Sequence, residues 1–148
     1  TSSPISIGAS AVLITSREFA RSNGLTIRAS IKGRSVVGVD WKRMGKGPLP
    51  ATEKVLNKTG MTMGDIDVIE LNEAFAAQSL YVIENGGWDR SKVNLNGGAI
   101  ALGHPLGATG SRITAKAAQL LKREKKKYAL STQCIGLGQG IATILESY

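Results

Sequence analysis

The sequence has 148 residues, of which 42% are hydrophobic and 20% charged, a composition that excludes a disordered or fibrous chain. No apolar run is long enough to cross a bilayer, so we expect no membrane span. The net charge is +8, from 19 Lys and Arg against 11 Asp and Glu, and the single His and single Cys exclude both a Cys/His zinc site and an internal disulfide.

The first third of the chain predicts a short helix between strands. Small and apolar residues at positions 9–15 predict a buried strand. Ser16 is a suitable cap for a short helix over residues 17–22. Residues 27–31 alternate between apolar and polar and predict a second strand, with residues 36–39 as its continuation.

The middle third continues the alternation of helix and strand. Pro48 suits the first turn of a helix, where no backbone N–H is needed, and Gly60 ends that helix. Residues 67–71 predict a strand, and helix signals then extend over residues 73–85, to the pair of glycines that follows. Residues 93–95 predict a short strand.

The last third begins with a glycine-rich segment, residues 96–110. Apolar residues at i, i+4, i+7 and i+8 over residues 113–121 predict a helix with one face on a core. Residues 128–132 and 141–145 predict an antiparallel pair of strands. The chain is therefore predicted to be an α/β domain: a mixed, mostly parallel sheet with helices on both faces.

The most basic segment of the chain is residues 122–127, with five positive charges and one negative. Such a run can bind nucleic acid, but it is also typical of a solvated helix end, where cations meet the negative pole of the helix dipole. No aromatic side chains that would stack on bases are interleaved with these charges. We therefore favour the helix end and expect no nucleic-acid partner.

Three polar residues lie at or beyond the ends of predicted strands, where α/β enzymes place their chemistry: Asn72, His104 and Cys134. Each has a structural alternative. Asn72 can be a helix N-cap, His104 a loop histidine bonded to local carbonyls, and Cys134 a small buried hydrophobic residue.

Three segments that contain these residues, 72–78, 96–110 and 134–140, resemble the NEAF, GHP and CxG motifs of the thiolase C-terminal half. They occur in the family's order and at its usual separations, and residues 44–52 are similar to the segment that leads into that half. The resemblance covers essentially the whole chain. It implies that residues 1–27 are the tail of the thiolase N-terminal half and that residues 28–148 form the C-terminal domain, with a thiolase-like fold.

The resemblance implies acyl transfer between a 3-ketoacyl-CoA or acetyl-CoA and coenzyme A, by thiolysis or Claisen condensation. Coenzyme A is then a substrate, and no other cofactor is expected. By motif, His104 takes the proton of a nucleophilic cysteine and donates to a thioester oxygen, and Asn72 holds a water in the same oxyanion hole. Cys134 is the acid and base at the substrate α-carbon, and the Gly136 N–H lines a second oxyanion hole.

The resemblance also implies substrate-binding residues. Ser3 matches a serine near the pantetheine arm in some thiolases, and Ala74 and Phe75 belong to the first motif. Acyl-CoA and coenzyme A are the expected small-molecule partners.

Thiolases carry the cysteine that becomes acylated in their N-terminal half, whereas the only cysteine here, Cys134, matches the acid/base position. Since the chain begins at Thr1 rather than Met, we expect a fragment or subunit that is inactive alone. It would need a thiolase N-terminal half and, when complete, form a homo-oligomer, a dimer or a tetramer. The alternative is a non-catalytic thiolase-like subunit for assembly or acyl-CoA binding. A lone cysteine is typical of a reducing compartment, here the cytoplasm, or the mitochondrial matrix in a eukaryote.

Overall fold

The computed structural model describes residues 1–148 and contains one four-stranded sheet with the strand order β1-β4-β3-β2. In chain order the elements are α1 (Arg17–Ser22), β1 (Ala29–Gly38), α2 (Pro48–Thr59), β2 (Val68–Leu71), α3 (Ala76–Gly86), α4 (Ala99–Leu102), α5 (Leu106–Arg123), β3 (Tyr128–Ile135) and β4 (Gln139–Ser147). Short 3-10 helices occupy Trp41–Lys46, Met63–Asp65 and Arg90–Lys92. No helix has both the length and the apolar character that crossing a membrane requires.

The predicted α/β class and mixed sheet are confirmed, but the sheet is not mostly parallel. β2 and β3 are parallel, whereas β3 pairs antiparallel with β4, and β4 antiparallel with β1. The reason is the short connection after Ile135: a turn of three residues cannot carry the chain back to the start of the sheet, so β4 must return antiparallel.

Helices cover both faces of the sheet, as predicted. Side chains alternate along each strand, so neighbouring residues of one strand enter different clusters. On one face, Ile69 and Leu130 pack with Val55 of α2 and Val82 of α3. On the other face, residues of β2, β3 and β4 pack against α5, and this cluster comprises Val68, Ala117, Leu120, Leu121, Ala129 and Leu145. The apolar stripe read in residues 113–121 therefore lies on a core.

Several helix ends follow their sequence signals. α2 begins at Pro48 and is ended by Gly60 in the left-handed conformation, with φ of 68°. The Ser16 hydroxyl caps α1 by accepting from the Phe19 N–H at 3.1 Å. The basic run after residue 121 forms the end of α5 and the turn beyond it, and its six residues are all exposed. This agrees with the solvated helix end that the sequence favours.

α3 begins at Ala76, three residues later than predicted. The preceding residue, Phe75, is extended (φ −140°, ψ 142°) because its backbone forms a β-bridge with Ser2. The Ala76 N–H also donates to the Thr1 carbonyl at 2.9 Å. Pairing with the N-terminal residues thus replaces the first helical turn.

The strand predicted at residues 9–15 is wrong. These residues form no strand, and the apolar side chains of Leu13 and Ile14 are 76% and 70% exposed. The run instead lies along a cleft of about 820 Å³ that it shares with α5 and the start of β1. The apolar side chains of this run therefore line a cleft and take no part in the sheet.

The continuation of the strand at residues 27–31 into residues 36–39 is confirmed, since both belong to β1, with a register irregularity between Ile31 and Gly33. The short strand predicted after α3 is not confirmed. Residues 93–95 form no strand, because only a single parallel bridge joins Val93 to Ile69.

The β3–β4 hairpin lies against the start of α2 with no side chain between them. Gly47, just before α2, contacts Gly140 of β4 so closely that a Cβ on either residue would overlap main-chain atoms of the other. Next to this contact, the Val39 N–H donates to the Gly138 carbonyl at 2.8 Å. The turn that follows Cys134 is therefore positioned by backbone packing.

Candidate functional site

The ends of the two parallel strands bring two of the predicted residues to one edge of the sheet. Asn72 follows β2 directly, and its N–H donates to the Thr132 carbonyl of β3 at 3.0 Å. Cys134 lies two residues further along β3. The carboxyl edge of parallel strands is the usual location of a binding site in α/β proteins.

Asn72 contacts His104 directly. The Asn72 Nδ2 lies 3.3 Å from the His104 Nε2, and Asn72 is only 1% exposed. Asn72 is not a helix N-cap, since α3 begins four residues later with Phe75 at its cap position. Its Oδ1 is buried and has no hydrogen-bond partner. An amide held in this way can present its free oxygen to a bound water or ligand.

The loop of His104 is held from two sides. The Nδ1 lies 2.7 Å from the Thr109 Oγ1 in the first turn of α5, and the His104 N–H donates to the Ser6 Oγ at 3.2 Å. No backbone carbonyl bonds the ring, so the loop-histidine alternative is wrong. Burial, and then the positive charge of Arg112, lower the pKa of His104 below its ordinary value. The ring is therefore neutral at neutral pH, the state that a general base requires.

The Glu73 carboxylate, next to Asn72 in the chain, holds the glycine-rich segment and the residues before it by hydrogen bonds. Its Oε1 accepts from the Asn94 Nδ2 at 3.0 Å, and its Oε2 accepts from the Ile100 N–H at 3.1 Å. Asn94 also bonds both backbone groups of Leu71, at 3.0 and 2.9 Å. A Cβ at Gly98 would overlap the Glu73 carboxylate, so a larger residue at this position would displace that carboxylate from its two donors.

A buried ion pair lies on the α5 side of the same edge. The Lys116 Nζ is 3.2 Å from the Glu70 Oε2 and donates to the Gly97 carbonyl at 2.7 Å. Burial raises the pKa of Glu70 against the opposing pull of Lys116. Glu70 Oε1, Asn72 Oδ1 and Arg112 Nε have no partner, and the three residues line one cavity of about 10 Å³, close to the room that one water needs.

Cys134 lies at this edge but is not joined to the other two residues. It is 8% exposed, and its thiol forms no hydrogen bond with Asn72 or His104. Burial raises the pKa of the thiol, the direction opposite to the one that proton release requires. These features agree with the small buried hydrophobic residue named as its alternative. Gly136 follows at the exposed start of the hairpin turn.

The three residues predicted to bind substrate lie together. The Ser3 N–H donates to the Ala74 carbonyl at 3.0 Å, and the Ser3 Oγ is 3.4 Å from the same oxygen. Phe75 is 45% exposed, whereas Ala74 is buried. Ala74 and Phe75 follow Asn72 closely in the chain. Ser6, which contacts His104, likewise follows Ser3 closely.

Sequence reasoning missed three residues of this edge. Ser6 carries no local signal, and although Glu73 lies within the first motif, its contacts could not be foreseen, because the partners of the two residues are 98 and 27 residues away. Thr109 could have been found, since a hydroxyl five residues after a histidine, at the start of a helix, can reach back to the ring. No group of three or more His, Cys, Asp or Glu side chains is arranged to bind a metal.

The chain is similar to known proteins in both sequence and structure. Residues 25–147 match the family model described as "Thiolase, C-terminal domain". The chain is 57% identical over 149 aligned positions to the 3-ketoacyl-CoA thiolase of Vibrio cholerae and 56% identical to that of Pseudoalteromonas atlantica. The alignments cover 99% of this chain but only 38% and 39% of those proteins, so the chain spans under two fifths of their length.

Solved structures give the same result. The crystal structure of human mitochondrial 3-ketoacyl-CoA thiolase matches with a TM-score of 0.88 at 49% identity. That of the Bacillus anthracis acetyl-CoA acetyltransferase matches with a TM-score of 0.87 at 46% identity. Each alignment covers 90% of this chain and 34% of the other. A structure of the human enzyme in complex with CoA matches equally well, with a TM-score of 0.87.

Proposed function

Since this chain belongs to the thiolase family and corresponds to its C-terminal domain, we propose that it supplies part of a site for acyl transfer between a 3-ketoacyl-CoA or acetyl-CoA and coenzyme A. The observation that carries the proposal is the contact between Asn72 and His104 at 3.3 Å. We assign residues 28–148 to the domain and residues 1–27 to the tail of a thiolase N-terminal half.

In this function His104 is the base. Its neutral ring accepts the thiol proton of a cysteine in the N-terminal half, and the thiolate attacks the acyl carbonyl. The protonated ring then donates to a thioester oxygen, and a water on Asn72 completes the oxyanion hole. Donors aimed at a developing oxyanion each contribute about 2.7–4 kcal/mol to catalysis in other enzymes. The lowered pKa of His104 supports this role, because the ring is ready to accept a proton.

Cys134 is the group that exchanges a proton with the substrate α-carbon. Its raised pKa keeps the thiol protonated, so that the proton is present to be given to the α-carbon when the carbon–carbon bond breaks. The reverse step, proton abstraction, requires substrate or the N-terminal half to lower that pKa. The Gly136 N–H lines the second oxyanion hole, and Ser3, Ala74 and Phe75 contact the acyl-CoA.

The complete enzyme needs partners that this chain lacks. Its relatives are more than twice as long, and the only cysteine here has the acid/base position. We propose that a thiolase N-terminal half supplies the acylated cysteine, that the complete enzyme is a cytoplasmic or mitochondrial homo-oligomer, and that the chain alone is inactive. The single cysteine also favours a second candidate, a non-catalytic subunit for assembly or acyl-CoA binding.

Reconstitution tests the proposal. The chain is co-expressed with the N-terminal part of the Vibrio cholerae relative, and thiolysis of a 3-ketoacyl-CoA is measured. We expect activity with the native chain and its loss with His104→Ala or Cys134→Ala, whereas Lys58→Ala, at an exposed site on α2, serves as the control. An active pair that is indifferent to both site substitutions would refute the catalytic roles and favour the second candidate.

A further inference from the structure

The Thr109 hydroxyl lies between the His104 ring and a backbone carbonyl. The Thr109 Oγ1 is 2.7 Å from the His104 Nδ1 and 3.0 Å from the Pro105 carbonyl oxygen. Thr109 is fully buried, so no solvent competes for these contacts. A hydroxyl has one proton to donate and lone pairs to accept with. If it donates to Pro105, it must accept from Nδ1.

The alternative arrangement leaves the hydroxyl less well paired. If the hydroxyl proton pointed to Nδ1 instead, the Thr109 Oγ1 and the Pro105 carbonyl oxygen would face each other at 3.0 Å with no proton between them, because a carbonyl oxygen can only accept. The N–H groups of Ala108 and Thr109 also donate to this carbonyl, at 2.9 and 3.0 Å. The Asn72 amide, which places Nδ2 toward Nε2, matches the first arrangement, because an N–H group there needs an acceptor.

We propose that Thr109 is a positioning residue, which holds neutral His104 in the tautomer with the proton on Nδ1 and the lone pair on Nε2. The tautomer follows from the contacts of Thr109 and Asn72, whereas its importance for catalysis rests on the proposed function. In that function the S–H bond of the nucleophilic cysteine breaks, its proton forms a new bond to Nε2 in place of the hydrogen bond from Asn72, and the electron pair stays on sulfur. Throughout this step the other ring proton stays on Nδ1 and keeps its hydrogen bond to the Thr109 Oγ1.

The tautomer can be measured directly, because His104 is the only histidine of the chain. The two ring nitrogens of a neutral imidazole have well-separated ¹⁵N shifts, which long-range ¹H–¹⁵N correlation reads at a pH above the ring pKa. We expect a protonated Nδ1 and an unprotonated Nε2 in the native chain. A ring with its proton on Nε2 would overturn the proposal without any variant.

Two variants test the part of Thr109. Thr109→Val keeps the shape and removes the hydroxyl, and we expect its ring nitrogens to move toward a mixture of tautomers. Thr109→Ser keeps the hydroxyl and is expected to restore the native shifts. Backbone amide spectra of both variants check that the fold is unchanged. A folded Thr109→Val that retains the native ring shifts would overturn the proposal, and if it does not fold, the native measurement still decides.

The reconstituted enzyme gives a separate readout. We expect Thr109→Val to lower kcat by about 10-fold to 10²-fold with little change in KM, since the general base is present but less often in the reactive tautomer. Thr109→Ser should keep most of kcat. If the native pair is inactive while the ring spectrum shows the predicted tautomer, the proposed function fails and the positioning role of Thr109 stands.

Discussion

The Glu70 carboxylate and the Lys116 ammonium form an ion pair of 3.2 Å between β2 and α5, with the Glu70 side chain only 2% exposed. It lies one residue away from the strand end that presents Asn72. Breaking such a pair from one side leaves a charge buried without a partner, which costs more than the pair itself contributes. We therefore expect loss of either charge to destabilise the fold and to disturb the strand end that presents Asn72.

We expect Lys116→Met to lower the free energy of unfolding by about 3–5 kcal/mol, because the buried Glu70 carboxylate then loses its only ion-paired partner and keeps only the more distant charge of Arg112. Urea unfolding followed by circular dichroism measures the change. The double variant Glu70→Met with Lys116→Met removes both charges and should regain most of the loss. A single variant within about 1 kcal/mol of the native chain would contradict the prediction.

We expect the His104 ring to titrate below its ordinary pKa of 6.5, because burial and the charge of Arg112 both disfavour the imidazolium. The unfolded chain then binds the proton more readily than the folded chain. The stability that the neutral ring contributes is present above pH 6.5 and is lost as pH falls through the lowered pKa.

An NMR titration of this single histidine measures the midpoint directly. Arg112→Gln should raise it, since one positive charge is removed, whereas Lys58→Gln removes an exposed charge on α2 and should leave it unchanged. A midpoint at or above 6.5 in the native chain would refute the lowered pKa.

Glu73→Ala should loosen the glycine-rich segment, because the Ile100 N–H and the Asn94 amide lose their shared acceptor. Leaving partly buried donors unpaired costs about 1–3 kcal/mol of unfolding free energy. Hydrogen exchange of the Ile100 amide should also become faster. The control is Glu84→Ala, which removes an exposed carboxylate paired with Arg90 and should change little. Unchanged exchange at Ile100 would show that Glu73 does not hold the segment.

Cys134 should react slowly with alkylating agents while the chain is folded. The residue is 8% exposed and burial raises the pKa of its thiol, so little thiolate is present at pH 8. Because the chain has one cysteine, the rate of iodoacetamide incorporation, measured by mass spectrometry, belongs to this residue alone. We expect modification at least about 10-fold faster in denaturing urea. Equal rates in the two states would show that the thiol is open to solvent.

The elements with a strong local pattern could be predicted from the sequence. The apolar stripe of α5, the proline at the start of α2 and its terminal Gly60 all act through neighbours within a few residues. The apolar run at 9–15 could not be read correctly, because composition alone does not say whether an apolar segment joins a sheet or lies along a cleft.

In the site, too, features with a local sequence signal could be predicted, and features that depend on distant contacts could not. The motifs located Asn72, His104 and Cys134, and the structure joins the first two. It does not join the third, and the raised pKa of Cys134 was not foreseen because it depends on how closely β3 and its neighbours bury the thiol. The contacts of Glu73 and Ser6 depend on loops that approach from distant parts of the chain, which no local pattern encodes.

The close contact of Gly47 with Gly140 has a consequence for how this protein can be altered. Since both residues already lack a side chain, a larger residue at one cannot be accommodated by a smaller residue at the other. Random mutagenesis would therefore find no compensating pair here, and a methyl group at either position would displace the hairpin that carries the cysteine. Variants that preserve this junction are the ones in which the chemistry of the neighbouring strands can be redesigned.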